Sequence, residues 1–572
     1  MHNRRGFALL LASLALSACT TAQPLAISQT APAVAPEVGV VSAADPRAAE
    51  AGMAMLRQGG SATDAAIAVM LALTVVEPQS SGIGGGGFYV HADAAGKVET
   101  LDGRETAPAS ATPDWFLDDS GVPVPFGQAV LSGLSIGVPG SLALAAEAHE
   151  RHGVLPWATL FAPAIALARD GWETSPRFTS FLASGKNRAA HQPEGLALYY
   201  DAAGEPNPVG TRLTNPQLAD TLERIAREGA ETFYTGPEGT ALAQTIGAAT
   251  PGGGMQPSDL ANYSAVWRDP VCGRYRVYLI CGMGPPSSGA TTVLAILGQL
   301  ERFDIGALGP DSPTAWHLFA ESQRLAYADR EAYLADGDFI QVPVAGLTDP
   351  AYLGARGALI ATDKRMETVE AGVPAGIAAA WPDGAEPVEN GTSHFAIVDA
   401  QGNAVSYTST IEGIFGSGHM FGGFYLNNEL TDFSMVPARD GEWVANRVEG
   451  GKRPRSSMAP TLVFGADGQL RLAIGAAGGA TIPVQVAKAL IGVLDWNLTA
   501  LDAIALPGLV APGDAITVET DSPLLAMRGT LEAMGHTITA RDLPFKANAV
   551  ELRDGRWIGA ADPRSEGVAL GQ

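Results

Sequence analysis

Basic charge is what this chain most lacks: 36 Lys and Arg stand against 60 Asp and Glu, for a formal net charge of −24. Phosphate recognition needs clustered cations, so nucleic acid and anionic membrane surfaces are argued against as partners. Cysteine is scarce too, with three in 572 residues. No Cys and His share a ligand spacing, and there is no His-Glu-x-x-His, so no metal or other cofactor is expected. Long apolar runs are also missing: Phe7 to Leu16 is too short to span a bilayer, and no later run is long and uncharged enough to anchor the chain. What is present suits a packed core, since 46% of residues are hydrophobic and only 17% charged.

Arg4 and Arg5 ahead of that short run mark residues 1–18 as a signal peptide. Leu16-Ser17-Ala18-Cys19 resembles a bacterial lipobox, in which the cysteine is lipidated and becomes the mature N-terminus. Ordinary secretion with an incidental Cys19 is the plainer alternative. Residues 19–40, rich in Ala, Pro, Thr and Gln, read as a tether, and the expected location is the periplasm, with a lipid anchor. Cys272 and Cys281 flank a segment whose midpoint lies between Arg276 and Val277, so a hairpin turning there sets the sulfurs opposite one another. A cross-strand disulfide suits an oxidising compartment; two unpaired structural cysteines are the other reading.

Ser61-Ala62-Thr63-Asp64 starts an Ala/Val/Leu-rich helix that stops near Glu77-Pro78, because proline disfavours helical geometry just before it. Gly82-Ile83-Gly84-Gly85-Gly86-Gly87 satisfies G-x-G-x-x-G, but it follows a helix and leads into the strand Phe88-Tyr89-Val90. A dinucleotide fingerprint has the reverse order, so a close-packing loop is the better reading. Residues 140–250 read as mainly helical, and 313–335 as one long amphipathic helix. From about 361 to 391 the chain loses large apolar residues and reads as a loose segment.

The most informative stretch is Gly391-Thr392-Ser393-His394, which opens the β pattern Phe395 to Asp399. A threonine in mid-chain is a poor nucleophile. Cutting the Gly391–Thr392 bond would give Thr392 a free α-amine of pKa roughly 7.7–8, a base on the same residue as the hydroxyl. The turn at Ala400-Gln401-Gly402-Asn403 folds the following strand back, setting Thr410 beside Thr392. A second hairpin, turning at Ala466-Asp467-Gly468, sets Ser456-Ser457 and Gly478-Gly479 at one end. Gly478-Gly479 precedes a helix with Pro483 in its first turn, where backbone N–H groups can serve an oxyanion.

With these blocks in hand, the chain resembles the gamma-glutamyltransferase family (gamma-glutamyl transpeptidase, or glutathione hydrolase) of the N-terminal nucleophile hydrolases. The marks run from about Val41 to Gly567: Asp64-Ala65-Ala66, Glu77 to Gly86, Asp102-Gly103-Arg104-Glu105-Thr106-Ala107-Pro108, Pro285 to Gly289, Thr392-Ser393-His394, Asn427 to Phe433 and Lys452 to Met458. The resemblance implies an α+β fold, a four-layer αββα sandwich built from one precursor. A large subunit (41–391) and a small catalytic subunit (392–572) would stay together as a heterodimer. It implies transfer of the γ-glutamyl group of glutathione-like amides, through an ester on Thr392, to water or to an amino acid or peptide. Thr410 would be the hydroxyl partner, and Gly478 and Gly479 the oxyanion donors. Arg104, helped by Ser456 and Ser457, would grip the α-carboxylate, with Glu429 and Asp432 holding the α-ammonium.

Two features depart from the family. Glu412 stands where many members have an asparagine that contacts the ammonium. The segment between Phe433 and Lys452, with Trp443 as its sole aromatic, is short for a lid. A related acylase acting on β-lactam side chains or other non-glutamyl amides would keep the nucleophile but need weaker ammonium recognition. An uncleaved, non-catalytic binding lipoprotein is a third reading, which the intact Thr392, Thr410 and Gly478-Gly479 set disfavours.

Overall fold

In this computed structural model the described residues are 37–377, 380–382, 384 and 391–571. The signal peptide, Cys19, most of the tether and part of the 361–391 segment lie outside them.

Two large sheets take thirteen strands: β1 (Gly39–Ala43), β2 (Gly86–Ala92), β3 (Val98–Gly103), β4 (Val266–Arg268), β5 (Val271–Tyr275), β6 (Tyr278–Gly282), β7 (Gly391–Asp399), β8 (Ala404–Glu412), β9 (Thr461–Phe464), β10 (Leu470–Ala477), β11 (Lys546–Arg553), β12 (Arg556–Ala561) and β13 (Val568–Leu570). One sheet has the order β13-β1-β7-β8-β2-β3-β4 and the other β12-β11-β10-β9-β6-β5. Within both, neighbours pair antiparallel. β7 packs across the interface on β10 and β11, and helices cover both outer faces. On the first sheet lie α1 (Pro46–Arg57), α2 (Ala62–Val76) and α3 (Ser141–His152). On the second lie α4 (Gly289–Leu300) and α6 (Ile482–Leu494), with α5 (Pro313–Tyr333) packed on α4. The result is the expected four-layer αββα sandwich. β7 and β8 are buried along their whole length, as central strands covered on both faces must be.

Local chemistry sets the element ends. The Ser61 side chain accepts from the Asp64 backbone and Asp64 answers from its own carboxylate, a capping box that starts α2. All fifteen residues of α2 are buried, and it ends one residue before Glu77-Pro78. The long helix expected at 313–335 is present as α5, but it is buried nearly all round and not amphipathic. Its charges are tolerated because they pair: Glu321 with Arg324, and Asp329 with Arg356. Cys272 pairs with Cys281 across the β5–β6 hairpin, and the two are joined by a disulfide. Among the described residues, no helix is long and apolar enough to cross a membrane.

Candidate active site

Gly391 and Thr392 stand at the start of β7, and Thr410 on β8 pairs with Thr392 in register. The Thr392 hydroxyl faces the Thr410 hydroxyl at 3.4 Å. Thr410 Oγ1 donates to the Gly391 carbonyl at 2.5 Å and accepts from the Glu412 backbone N–H at 2.7 Å. A bulge follows, shifting the register between Thr410 and Glu412, a device that re-aims side chains at sheet ends. Glu412 pays with a left-handed φ of 74°, uncommon for a residue other than glycine.

Glycines let the backbones close around this corner. A Cβ on Gly391 would lie 2.6 Å from the Gly413 backbone, and one on Gly85 would lie 2.0 Å from the Thr410 carbonyl oxygen. The Gly82–Gly87 run is therefore a packing loop against β8, as its place between helix and strand suggested.

Behind Thr392, Ser393 Oγ donates to the Glu77 carboxylate at 2.5 Å, and the Lys546 ammonium bridges Glu77 at 2.9 Å and Ser393 at 3.4 Å. Burial pulls the Lys546 pKa down, while Glu77 opposes the shift. His394, the residue after Ser393, is fully buried. Burial lowers its pKa to about 3, and its Nδ1 meets Thr408 Oγ1 at 2.9 Å.

Lys546 pairs with Ala477 in the second sheet, so the next residues, Gly478 and Gly479, leave β10 beside Ser393. Both have left-handed φ, 129° and 57°. They turn the chain through a short 3-10 segment into α6. Ser456 and Ser457 precede β9, whose register with β10 carries them to the same end.

The residues expected to hold a head group gather around Arg104, which follows β3. Its guanidinium pairs with both Glu429 and Asp432, and two further N–H groups donate to the carbonyls of Pro454 at 3.2 Å and Arg455 at 3.0 Å. The expected cation clamp and anion clamp thus neutralise one another. Ser457 Oγ accepts from Arg330 at 2.8 Å, and Ser456 Oγ accepts from the Met458 backbone at 3.2 Å. Glu412 Oε2 accepts from Asn428 Nδ2 at 2.8 Å, which ties it to the residue before Glu429. In the short lid segment Trp443 is about half exposed, and Arg447 lies over its ring.

Two groups here escaped sequence reasoning. Glu105 is fully buried and within hydrogen-bonding reach of Glu429. Burial and the neighbouring Glu429 charge push its carboxyl well above the usual range. Burial likewise pushes Glu429 up to about 7, against the pull of Arg104. Like charges at that range favour one shared proton. The other is the Glu77–Lys546 pair. Glu105 and Glu77 stand inside motif blocks and could have been singled out; Lys546 carries no local signal.

A threonine that opens a strand, at the edge of the interface between two helix-covered sheets, defines an N-terminal nucleophile hydrolase. The chain belongs to the gamma-glutamyltranspeptidase family, whose profile matches residues 48–572. It is 35% identical over 545 residues to a glutathione hydrolase proenzyme of Bacillus subtilis (strain 168), covering 93% of this chain and 91% of that protein. It is also 35% identical over 542 residues to the acylase ACY 1 proenzyme of Pseudomonas sp. (strain V22), covering 93% of each. Among solved structures, cephalosporin acylase from Bacillus halodurans superposes with a TM-score of 0.80 at 26% identity, covering 97% of this chain and 99% of that one.

Proposed function

We propose that this chain cuts its own Gly391–Thr392 bond and then carries the γ-glutamyl group of glutathione-like amides on Thr392 to water or to an amine. One observation carries the reading: the Thr392 hydroxyl faces a hydroxyl that itself donates to the Gly391 carbonyl. Attack of Thr392 Oγ1 on the Gly391 carbonyl carbon forms an ester as the C–N bond breaks, and the amine takes up the proton. Thr410 polarises the carbonyl oxygen through the step. Water then hydrolyses the ester, leaving Gly391 as a carboxylate and Thr392 with a free amine. Cleavage here divides the chain into 41–391 and 392–572, held together as a heterodimer.

In turnover the Thr392 amine accepts the hydroxyl proton while Oγ1 attacks the substrate γ-carbonyl, and the same proton leaves on the departing amine. Gly478 and Gly479 N–H groups stabilise the oxyanion. An incoming amino-acid head group exchanges ion pairs: its carboxylate takes Arg104 with Ser456 and Ser457, and its ammonium takes Glu429, Asp432 and Glu412. Charge is conserved, so the desolvation cost is shared with pairs already made. Water, amino acids and peptides all fit as acceptors at a site with so short a lid.

A second reading, an acylase for non-glutamyl side chains, is favoured by the likeness to the two acylases. Parallel assays of a γ-glutamyl and a glutaryl anilide separate them, because only the first carries the ammonium. For the main reading, intact-mass analysis after incubation with a γ-glutamyl substrate should find the acyl group on a fragment beginning Thr-Ser-His-Phe. An uncut chain that still turns over would overturn it. Export is supported by the basic and apolar leader, a periplasmic membrane anchor by the lipobox at Cys19, and an oxidising compartment by the Cys272–Cys281 bond. Labelled fatty acid should enter the wild type but not Cys19→Ala.

A further inference from the structure

His91 and Glu99 face one another in register across the β2–β3 hairpin, and His152 closes the C-terminal end of α3 above them. One ligand atom from each lies within 4.8 Å of the other two. His91 is 4% exposed and its Nδ1 has no hydrogen-bond partner; His152 Nε2 is buried and likewise unpartnered. Two buried imidazole nitrogens that make no hydrogen bond, one of them with only the Glu99 carboxylate near it at 3.4 Å, call for a ligand, because such groups are otherwise costly. The imidazole rings stack with centroids 4.0 Å apart, at the wall of a cleft of about 800 Å³.

We propose that His91, Glu99 and His152 form a binding site for a divalent transition-metal ion of the zinc type. Two imidazoles and one carboxylate are a donor set this ion accepts, with a solvent-facing fourth position supplied by the cleft. Zinc–nitrogen and zinc–oxygen bonds of about 2.0–2.2 Å need the ligand atoms to draw in to about 3.4 Å and the rings to splay, a side-chain adjustment of about an ångström. Glu99 is already oriented for it. Its Oε1 is held by Lys97 at 3.1 Å and Arg151 at 3.1 Å, while Oε2 is turned towards His152 Nε2 at 3.4 Å. Arg151 is itself pinned over the Trp267 ring at 3.7 Å. Carboxylate ligands are commonly fixed by outer hydrogen bonds of this kind. The two cations offset the Glu99 and Asp93 carboxylates in the same cleft, so the ion is drawn by the nitrogen lone pairs more than by net charge. Burial lowers the pKa of both histidines, which leaves those lone pairs available at neutral pH.

The site is remote from the chemistry. Gly86, which pairs with Thr410, lies five positions from His91 along β2, roughly 17 Å away. A bound ion would staple the hairpin to the end of α3 and act on stability. The spacing 91, 99, 152 follows no sequence motif, because the ligands come from two strands and a helix.

The test uses tag-free mature protein stripped with a chelator and titrated with Zn²⁺ by calorimetry at neutral pH. One ion should bind per chain with a Kd of about 10 μM or tighter, and the unfolding temperature should rise by about a few degrees. His91→Ala and Glu99→Gln should each weaken binding about 10- to 100-fold, whereas His149→Ala, on the same helix, should not. Turnover of a γ-glutamyl anilide reports that each variant is folded; if His91→Ala fails that check, Glu99→Gln decides. Absence of binding, or unchanged affinity in the ligand variants, overturns the proposal.

Discussion

At the corner of the proposed nucleophile, Thr392 meets Thr410 because neighbouring strands of one hairpin are in register. In the proposed head-group cluster Arg104 meets Glu429 and Asp432 across 325 and 328 residues of chain, by charge pairing. The corner is a backbone device: a bulge, a closely packed glycine and two hydroxyls, with little room for alternatives. The Arg104 cluster is an electrostatic device, and the proposed head-group binding would exchange its ion pairs. Covalent chemistry needs reacting atoms held to fractions of an ångström, whereas recognition of a zwitterion needs groups that give up one ion pair for another.

Removing the nucleophile is the harshest way to break this contrast. Thr392→Ala should leave one undivided band on a gel and lower γ-glutamyl anilide turnover about a thousandfold or more, with the pocket untouched. Arg104→Lys strikes the other side. It keeps the charge but loses the planar fork, so kcat/KM should fall about a hundredfold while processing into two bands continues. If processing stops as well, the two regions are one unit and the contrast fails.

Gly391→Ala tests the backbone device itself. Its Cβ would press on the Gly413 and Glu412 main chain, costing about 1–3 kcal/mol. The two bands should appear about tenfold more slowly or worse, followed on a time course. The gentlest probe is proton concentration. Glu429, raised to about 7 by burial, ionises as pH rises, and only its ionised form attracts an ammonium. KM should therefore fall about tenfold between about pH 6 and pH 8, and Glu429→Gln should flatten the profile. KM must be read apart from kcat, because the Thr392 amine titrates in the same range.

The same contrast explains what could be read from the sequence. The Thr392–Thr410 pairing follows from strand periodicity and a turn at Gln401-Gly402, both local signals, and the cysteine pair across β5–β6 followed in the same way. The four layers and the roles suggested for Arg104, Glu429 and Asp432 came only through family resemblance, because contacts over hundreds of residues leave no periodic trace. That Arg104 would close on those two acids, with Glu105 beside them, could not be read at all: a charge in a sequence does not say which opposite charge it meets. The near-complete burial of α5 was hidden for a related reason, since its charged residues are neutralised within the helix, as Glu321 is by Arg324, or from another element, as Asp329 is by Arg356, and look like a solvated face.

The order of strands has a last consequence. A cut before Thr392 would leave β7, β8 and β13 in one fragment and β1, β2, β3 and β4 in the other, shuffled through a single sheet. Neither fragment then owns a complete interior. The pair should survive any dilution that leaves it folded, and after unfolding, two strangers must find each other to rebuild what one polymer once assembled alone.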